Sequence, residues 1–363
     1  MIKHSIIPIF VPHLGCPHDC VFCNQRRITN SSENITYESL EGTIKEYLNY
    51  FKPGSQVEIA FYGGSFTAID RDLQNGLLAV ALEYKSRRLI DEIRLSTRPD
   101  AIDKDILENL KSFGVNTIEL GVQSLDDTVL NASGRGHSSK DVYRAVDLIK
   151  SYGFKLGLQM MVGLPKDSIE TNIFTAKEFI NLKADFVRIY PTLVIKDTFL
   201  ADLYKGNKYK PLSLDEAVDC VTPLMMLFYL NDIDIIRVGL QTTENIQLGK
   251  DVISGPFHPS FRQLVDSNIY KEILSYYLDN LAGDFQGKEL EIFMNSREVS
   301  NLAGQRSSNI MYLREKYLFK KVKINPMDSD TNSIRVKIGD FSDTIIFETI
   351  MEKVSRNSFI DKI

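Results

Sequence analysis

The sequence predicts an α/β protein, a parallel sheet with right-handed crossovers followed by a smaller α+β domain. Three observations carry this. Short apolar, β-branched runs alternate with amphipathic helical stretches through the first two-thirds of the 363 residues. Gly114, Gly153 and Gly157 fall where helices should close or strands should start. Near residue 245 the alternation stops, and strand-like runs follow without regular helical partners.

The first expected strand, Ile6–Val11, is a run of Ile, Phe and Val that ends at Pro12. Val57–Tyr62 begins after the turn residues Pro53 and Gly54 and ends at Gly63-Gly64. Glu92–Ser96, Thr117–Gly121, Lys155–Val162, Asp185–Tyr190 and Ile233–Val238 complete the set. Between them Tyr37–Tyr50, Asp72–Leu89, Asp103–Phe113, Lys140–Tyr152, Ser168–Leu182 and Leu214–Leu230 space apolar residues at helical intervals. In the second domain Leu290–Met294, Phe319–Ile324, Ser333–Ile338 and Thr344–Glu348 read as strands, with helices over Ser260–Asn280 and Gln305–Lys316. Gly255-Pro256-Phe257-His258-Pro259 reads as a connector, and the expected domains are 1–245 and 246–363.

Composition narrows the class. At 43% hydrophobic and 25% charged, the chain has the make-up of a globular protein with a sizeable core. A net charge of −5 excludes a molecule that is basic all over, so any nucleic-acid surface must be a local patch. No apolar stretch approaches the length of a bilayer span. Met1–Pro12 is apolar but short, holds Pro8 and Pro12, and lacks a small-residue cleavage site; it reads as a buried strand rather than a signal peptide. A cytoplasmic, reducing location is expected, with no membrane partner.

Cys16, Cys20 and Cys23 lie in one loop just after the first strand, with Phe22 before the last of them. Soft thiolates at this spacing suit an iron–sulfur cluster, zinc or Cu(I). Zinc would need a fourth ligand from His13, His18 or Cys220, and no second C-x2-C follows at zinc-ribbon distance. Three clustered cysteines and one remote cysteine make no disulfide framework. A four-iron cubane held by three thiolates keeps one iron open to a small molecule. Cys220 shares an apolar helical face with Ala217, Leu224 and Leu227, which favours a packed structural thiol over a radical relay.

Further motifs fall at the expected C-terminal strand ends, where parallel βα sheets place their sites. Tyr62-Gly63-Gly64-Ser65-Phe66 lets backbone approach a ligand without Cβ in the way. Ser96-Thr97-Arg98-Pro99-Asp100 ends the third strand, and Glu119-Leu120-Gly121-Val122-Gln123-Ser124 the fourth. Gln123 offers donor and acceptor to ribose hydroxyls, and Arg135 in Gly134-Arg135-Gly136-His137 offers a planar fork to a carboxylate. Gln159 precedes Met160-Met161-Val162-Gly163-Leu164-Pro165.

The cysteine loop resembles the signature of the radical S-adenosylmethionine (SAM) superfamily. The order of the later motifs, continued by Tyr190-Pro191-Thr192-Leu193-Val194-Ile195, resembles the radical SAM domain of the Elongator catalytic subunit over roughly residues 5 to 215. A looser likeness runs to oxygen-independent coproporphyrinogen oxidase. The resemblance implies a partial (β/α)6 radical SAM barrel, a 4Fe-4S cluster on Cys16, Cys20 and Cys23, and SAM as cofactor. It implies SAM contacts from Gly63 and Gly64 to the amino end, Gln123 to the ribose region, Gln159 to the ribose or adenine, and Arg135 to the carboxylate. Ser96 stands where these relatives carry Glu, and Phe22 would pack beside cluster or adenine, ordinary packing within the loop being the alternative. The implied chemistry is reductive cleavage of SAM to a 5′-deoxyadenosyl radical that takes hydrogen from a substrate, with a ferredoxin or flavodoxin as electron donor.

The Elongator likeness suggests a tRNA base as substrate. Arg306, Arg314, Lys316, Lys320, Lys321 and Lys323, with Tyr312, Tyr317 and Phe319 among them, form a candidate RNA patch; a solvated face over core aromatics is the alternative. No Arg/Gln-x-x-Gly-x-Gly/Ala loop is present, so acetyl transfer is not expected. The competing functions are a porphyrinogen-type radical SAM oxidoreductase and a non-catalytic metal- or RNA-binding protein.

Overall fold

A computed structural model describes residues 4–11, 16, 20–24, 35–240, 245–328 and 333–356. Two compact units divide it: Met1–Ser213 with Ile233–Phe257, and Leu214–Asp232 with His258–Ile363. The first unit is a seven-stranded sheet of β1 (His4–Phe10), β2 (Gln56–Tyr62), β3 (Glu92–Thr97), β4 (Thr117–Gln123), β5 (Lys155–Val162), β6 (Phe186–Pro191) and β8 (Asp234–Val238). These strands lie in that order and every neighbouring pair is parallel. Among the described residues β1 and β8 are the two edges and do not pair, so the barrel is partial.

Strand period separates two faces. One carries Ile59, Phe61, Ile93, Leu95, Ile118, Leu120, Leu156, Leu158, Val187 and Ile189, all buried. The other carries Glu58, Tyr62, Arg94, Ser96, Glu119, Gln159, Arg188 and Tyr190. Side chains on this second face meet across strands that are not neighbours. Arg188 of β6 reaches both Glu119 of β4 and Tyr62 of β2, while Arg94 of β3 donates through Nη1 to Glu119 Oε1 on the adjacent strand at 2.8 Å. The sheet is therefore curled around this face. Gly157 on β5 is required there, because a Cβ would overlap the Phe186 ring.

Helices leave the strand ends on side-chain caps. Asp70 accepts from the Asp72 and Leu73 amides, Asp126 from Thr128 and Val129, and Ser138 forms a capping box with Asp141. A short antiparallel pair, β7 (Val194–Ile195) with β9 (Val252–Ser254), was not expected from the sequence. The helix Leu214–Tyr229, read from sequence as one more barrel helix, belongs to the second unit.

That unit holds a mixed sheet in the order β11 (Lys321–Met327), β10 (Glu289–Asn295), β12 (Ser333–Ile338) and β13 (Phe341–Ile346). Its core gathers Leu274, Leu290, Ile292, Leu313, Phe319 and Val336. This fold absorbs part of the basic stretch, while Arg306, Arg314, Lys320 and Lys321 are exposed. Phe319 is buried and stacks on Phe285, Tyr317 bonds to Asp279 and to the Ser275 carbonyl, Lys316 pairs with Asp279, and Lys323 with Glu289. Of the interleaved aromatics Phe319 is core, and Tyr312 and Tyr317 are half-buried against it. Among the described residues no helix is long and apolar enough to cross a membrane.

Candidate active site

The cysteine loop is tied to two distant segments at the C-terminal ends of the strands. The Val21 amide donates to the Ser133 carbonyl at 3.1 Å, and the Leu200 amide donates to the Val21 carbonyl at 2.7 Å. A turn from the Cys23 amide to the Cys20 carbonyl, 3.0 Å, brings the last two cysteines round. Phe22 packs with Val21, Val194 and Leu200, so its ring serves as an apolar anchor for the loop. Cys20 is buried, Cys16 and Cys23 are half-buried, and none of the three is in a disulfide. Among the described residues no three His, Cys, Asp or Glu side chains are gathered closely enough to hold a metal ion. His13 and His18, the possible zinc ligands, lie outside the described residues, as do Gly15, Pro17 and Asp19.

Cationic groups back the loop. Arg135 Nη1 donates to Cys20 Sγ at 3.1 Å, and its Nη2 donates to the Gly121 carbonyl. Arg98 is clamped by Asp100 at 2.9 and 3.1 Å and donates to the Arg135 carbonyl at 2.5 Å. Burial pushes the Cys16 thiol pKa up, while Arg98 and Arg135 oppose that rise. The buried Arg135 Nε and Arg98 Nη1 have no hydrogen-bond partner among the described residues. A buried guanidinium N–H left unpaired is costly and suits an anionic ligand.

The other sequence-predicted residues line the same strand ends. Gly63 has φ +90°, and a Cβ there would lie 3.1 Å from the Val11 carbonyl oxygen. Gly63→Ala should cost about 1–3 kcal/mol through forced left-handed backbone and crowding against the Val11 backbone just after β1, read as a lower denaturation midpoint. Gly64 follows it in the same turn. Ser65 and Thr67 both bond to Thr97, at 3.0 and 2.6 Å, fixing this turn to the end of β3. Ser96 stands opposite Glu119 in register, with no side-chain hydrogen bond among the described residues. Gln123 sits at a bulge with φ 74°, and its Oε1 accepts from Gln159 Nε2 at 3.2 Å. The structure thus joins Gln123 with Gln159 and Arg135 with Cys20.

His137 was quoted in a motif but given no role by sequence reasoning. It is buried, its Nε2 is 3.2 Å from the Val122 carbonyl, and its Nδ1 has no partner among the described residues. Burial, with Arg135 and Arg98 nearby, lowers its pKa from 6.5 to about 4. Between those values the unfolded chain binds the extra proton and the folded chain does not, so stability is full above pH 6.5 and falls as pH drops toward 4. His137→Gln should flatten that slope in urea titrations run at several pH values.

Charged residues inside the strands were also passed over. Glu58 pairs with Arg94 at 2.8 Å, Arg94 with Glu119 at 2.8 Å, and Glu119 with Arg188 at 2.8 Å. The signal available was a charge at alternate positions of otherwise β-branched runs, each on the face opposite the aliphatic one.

Residues 10–178 match the radical SAM superfamily, and residues 184–271 match the radical SAM C-terminal domain. The chain belongs to the radical SAM superfamily. It is an enzyme of that superfamily, whose members bind a 4Fe-4S cluster and SAM. The tRNA uridine(34) acetyltransferase of Methanocaldococcus infernus is 26% identical over 261 residues, covering 60% of this chain and 48% of that protein. Human Elongator complex protein 3 is 32% identical over 192 residues, covering 47% of this chain and 35% of its own length. The chain thus spans half or less of these two curated relatives. The solved structure of the M. infernus Elp3 lacking residues 1–46 superposes with a TM-score of 0.62 at 21% identity, covering 80% of this radical SAM chain and 71% of the other. That likeness supports the fold, including the partial barrel.

Proposed function

We propose that this radical SAM enzyme takes hydrogen from a tRNA base held at the mouth of the partial barrel. The observation that carries the reading is the anchored three-thiol loop backed by Arg135 and Arg98 at the strand ends. The donor set fits the cofactors: three soft thiols for iron, and two buried guanidinium N–H groups left over for an anion. Cys16, Cys20 and Cys23 would hold the cluster. When bound, cluster and SAM supply one-electron cleavage of SAM to methionine and a 5′-deoxyadenosyl radical.

The chain's own residues do the positioning. Gly63 and Gly64 let backbone approach the amino end of SAM, Gln123 and Gln159 offer donors and acceptors to its ribose region, and Ser96 offers a hydroxyl beside them. Arg135 keeps positive charge on the thiolates through Cys20, and its Nε remains for the SAM carboxylate. Phe22 holds the loop by packing. The electron comes from a ferredoxin or flavodoxin. The tRNA assignment is supported by relatives named for tRNA uridine modification.

An anaerobic assay tests this. Reconstituted protein with dithionite and SAM should form 5′-deoxyadenosine, and unmodified bulk tRNA should raise its rate. Absence of 5′-deoxyadenosine removes the radical reading; formation indifferent to tRNA removes the substrate.

A further inference from the structure

The second unit builds its core on one face of its mixed sheet. Leu290, Ile292, Val336 and Ile338 of β10 and β12 point inward there and meet Leu274 and Leu313 of the helices. By strand period the residues between them point the other way. That outer face carries Phe293, which is half-buried and takes no part in the core. Its partner in register on β12 is Arg335, an exposed residue. The Arg335 guanidinium lies over the Phe293 ring, 4.5 Å from its centre.

Four cations and two carboxylates surround this ring on the same face. Lys323 pairs with Glu289 at 3.0 Å and Lys337 with Glu291 at 3.9 Å, which accounts for both carboxylates. Lys321 and Arg335 make no ion pair among the described residues. Two positive charges are therefore left over, on a chain whose net charge is −5. A local basic patch of this kind is what such a chain needs to meet a polyanion. The sheet also lies beyond residue 271, outside both matched radical SAM segments.

We propose that this outer face is a docking platform for single-stranded RNA. One base would stack on the guanidinium plane that Phe293 backs, and phosphates would meet Lys321 and Arg335. A weakly hydrated guanidinium seated on an aromatic ring accepts any base on its open side, so the platform reads no base identity. An acidic peptide would use the cations and leave the stacked pair idle. The choice of RNA among polyanions rests on the tRNA-base reading, whereas the platform itself does not.

The test uses the full chain with its cluster and SAM, and a fluorescent oligoadenylate of about ten nucleotides, followed by anisotropy. This probe offers the barrel no pyrimidine. Its association constant should fall with salt at a logarithmic slope of about −1.4, the value for two phosphates on a single strand. Phe293→Ala should weaken binding about tenfold, the loss of one stacked base. Arg335→Ala should weaken it as much and bring the slope to about −0.7. Arg335→Lys should restore the slope without restoring the stacking. Arg314→Ala, an exposed cation on the helix Ser308–Lys316, should change nothing.

A wild type that ignores the oligonucleotide at low salt overturns the proposal. So does an Arg335→Ala protein that binds as the wild type, at an exposed position where folding is not at risk. Equal losses in Arg314→Ala and Arg335→Ala overturn it too, since binding would then follow charge alone. If the platform binds as described but tRNA fails to stimulate 5′-deoxyadenosine, the tRNA-base reading falls and the platform stands.

Discussion

Cys16→Ala is expected to yield colourless, inactive protein. The proposed ligands of the cluster are three thiolates, Cys16, Cys20 and Cys23. Losing one leaves two protein ligands for four irons, and iron should fall from about four per chain toward none after anaerobic reconstitution. Cys20→Ala and Cys23→Ala should behave alike. The far-ultraviolet circular dichroism should remain that of the wild type, because the loop is held by backbone bonds from Val21 to Ser133 and Leu200. Iron analysis, the broad visible absorbance and 5′-deoxyadenosine yield read the outcome. A Cys16→Ala protein with full iron and normal SAM cleavage would contradict the ligand assignment.

Glu119→Ala should be the most damaging single change to the barrel itself. Glu119 is 3% exposed and faces two guanidinium groups, Arg94 and Arg188, each at 2.8 Å. Its removal leaves both cations short of a counter-charge, although Arg94 keeps Glu58 on its other side. Uncompensated buried charge costs about 3–5 kcal/mol, well beyond the about 1 kcal/mol of an average substitution. Urea unfolding followed by circular dichroism should show a lower midpoint. Glu119→Gln should recover only part of the loss, since it restores hydrogen bonding without charge. A shift below about 1 kcal/mol for Glu119→Ala would mean the guanidiniums are satisfied without it.

The fold was legible where period and length agreed. Lys155–Val162 is found with the bounds read from sequence, and the other barrel strands differ only at their ends. In the second unit the reading blurred. Thr344–Glu348 was expected as a strand, yet the strand ends at Ile346 and a helix runs over Phe347–Ser355. Its apolar residues Phe347, Ile350, Met351 and Val354 have helical spacing, but they follow the strand with no turn residue between. The expected Phe319–Ile324 strand begins two residues later, after left-handed Leu318, and tolerates Pro326 because β11 is an edge.

The candidate site was legible in its motifs and silent in its pairings. Cysteines, paired glycines and the Gln and Arg at strand ends announce themselves by type and position. That Arg135 meets Cys20 across 115 positions, or that Arg188 links Tyr62 to Glu119, follows only from how the sheet curls. Long-range pairing of charges leaves no local pattern, so a lone Glu in a strand reads as an anomaly until its partner is known.

The linked carboxylates and guanidiniums of the barrel interior have a practical consequence. Ions in solution screen contacts with water-exposed phosphates strongly and enclosed pairs weakly. Raising ionic strength should therefore release the proposed tRNA partner while leaving the barrel intact, so salt becomes a lever that separates loss of partner from loss of structure.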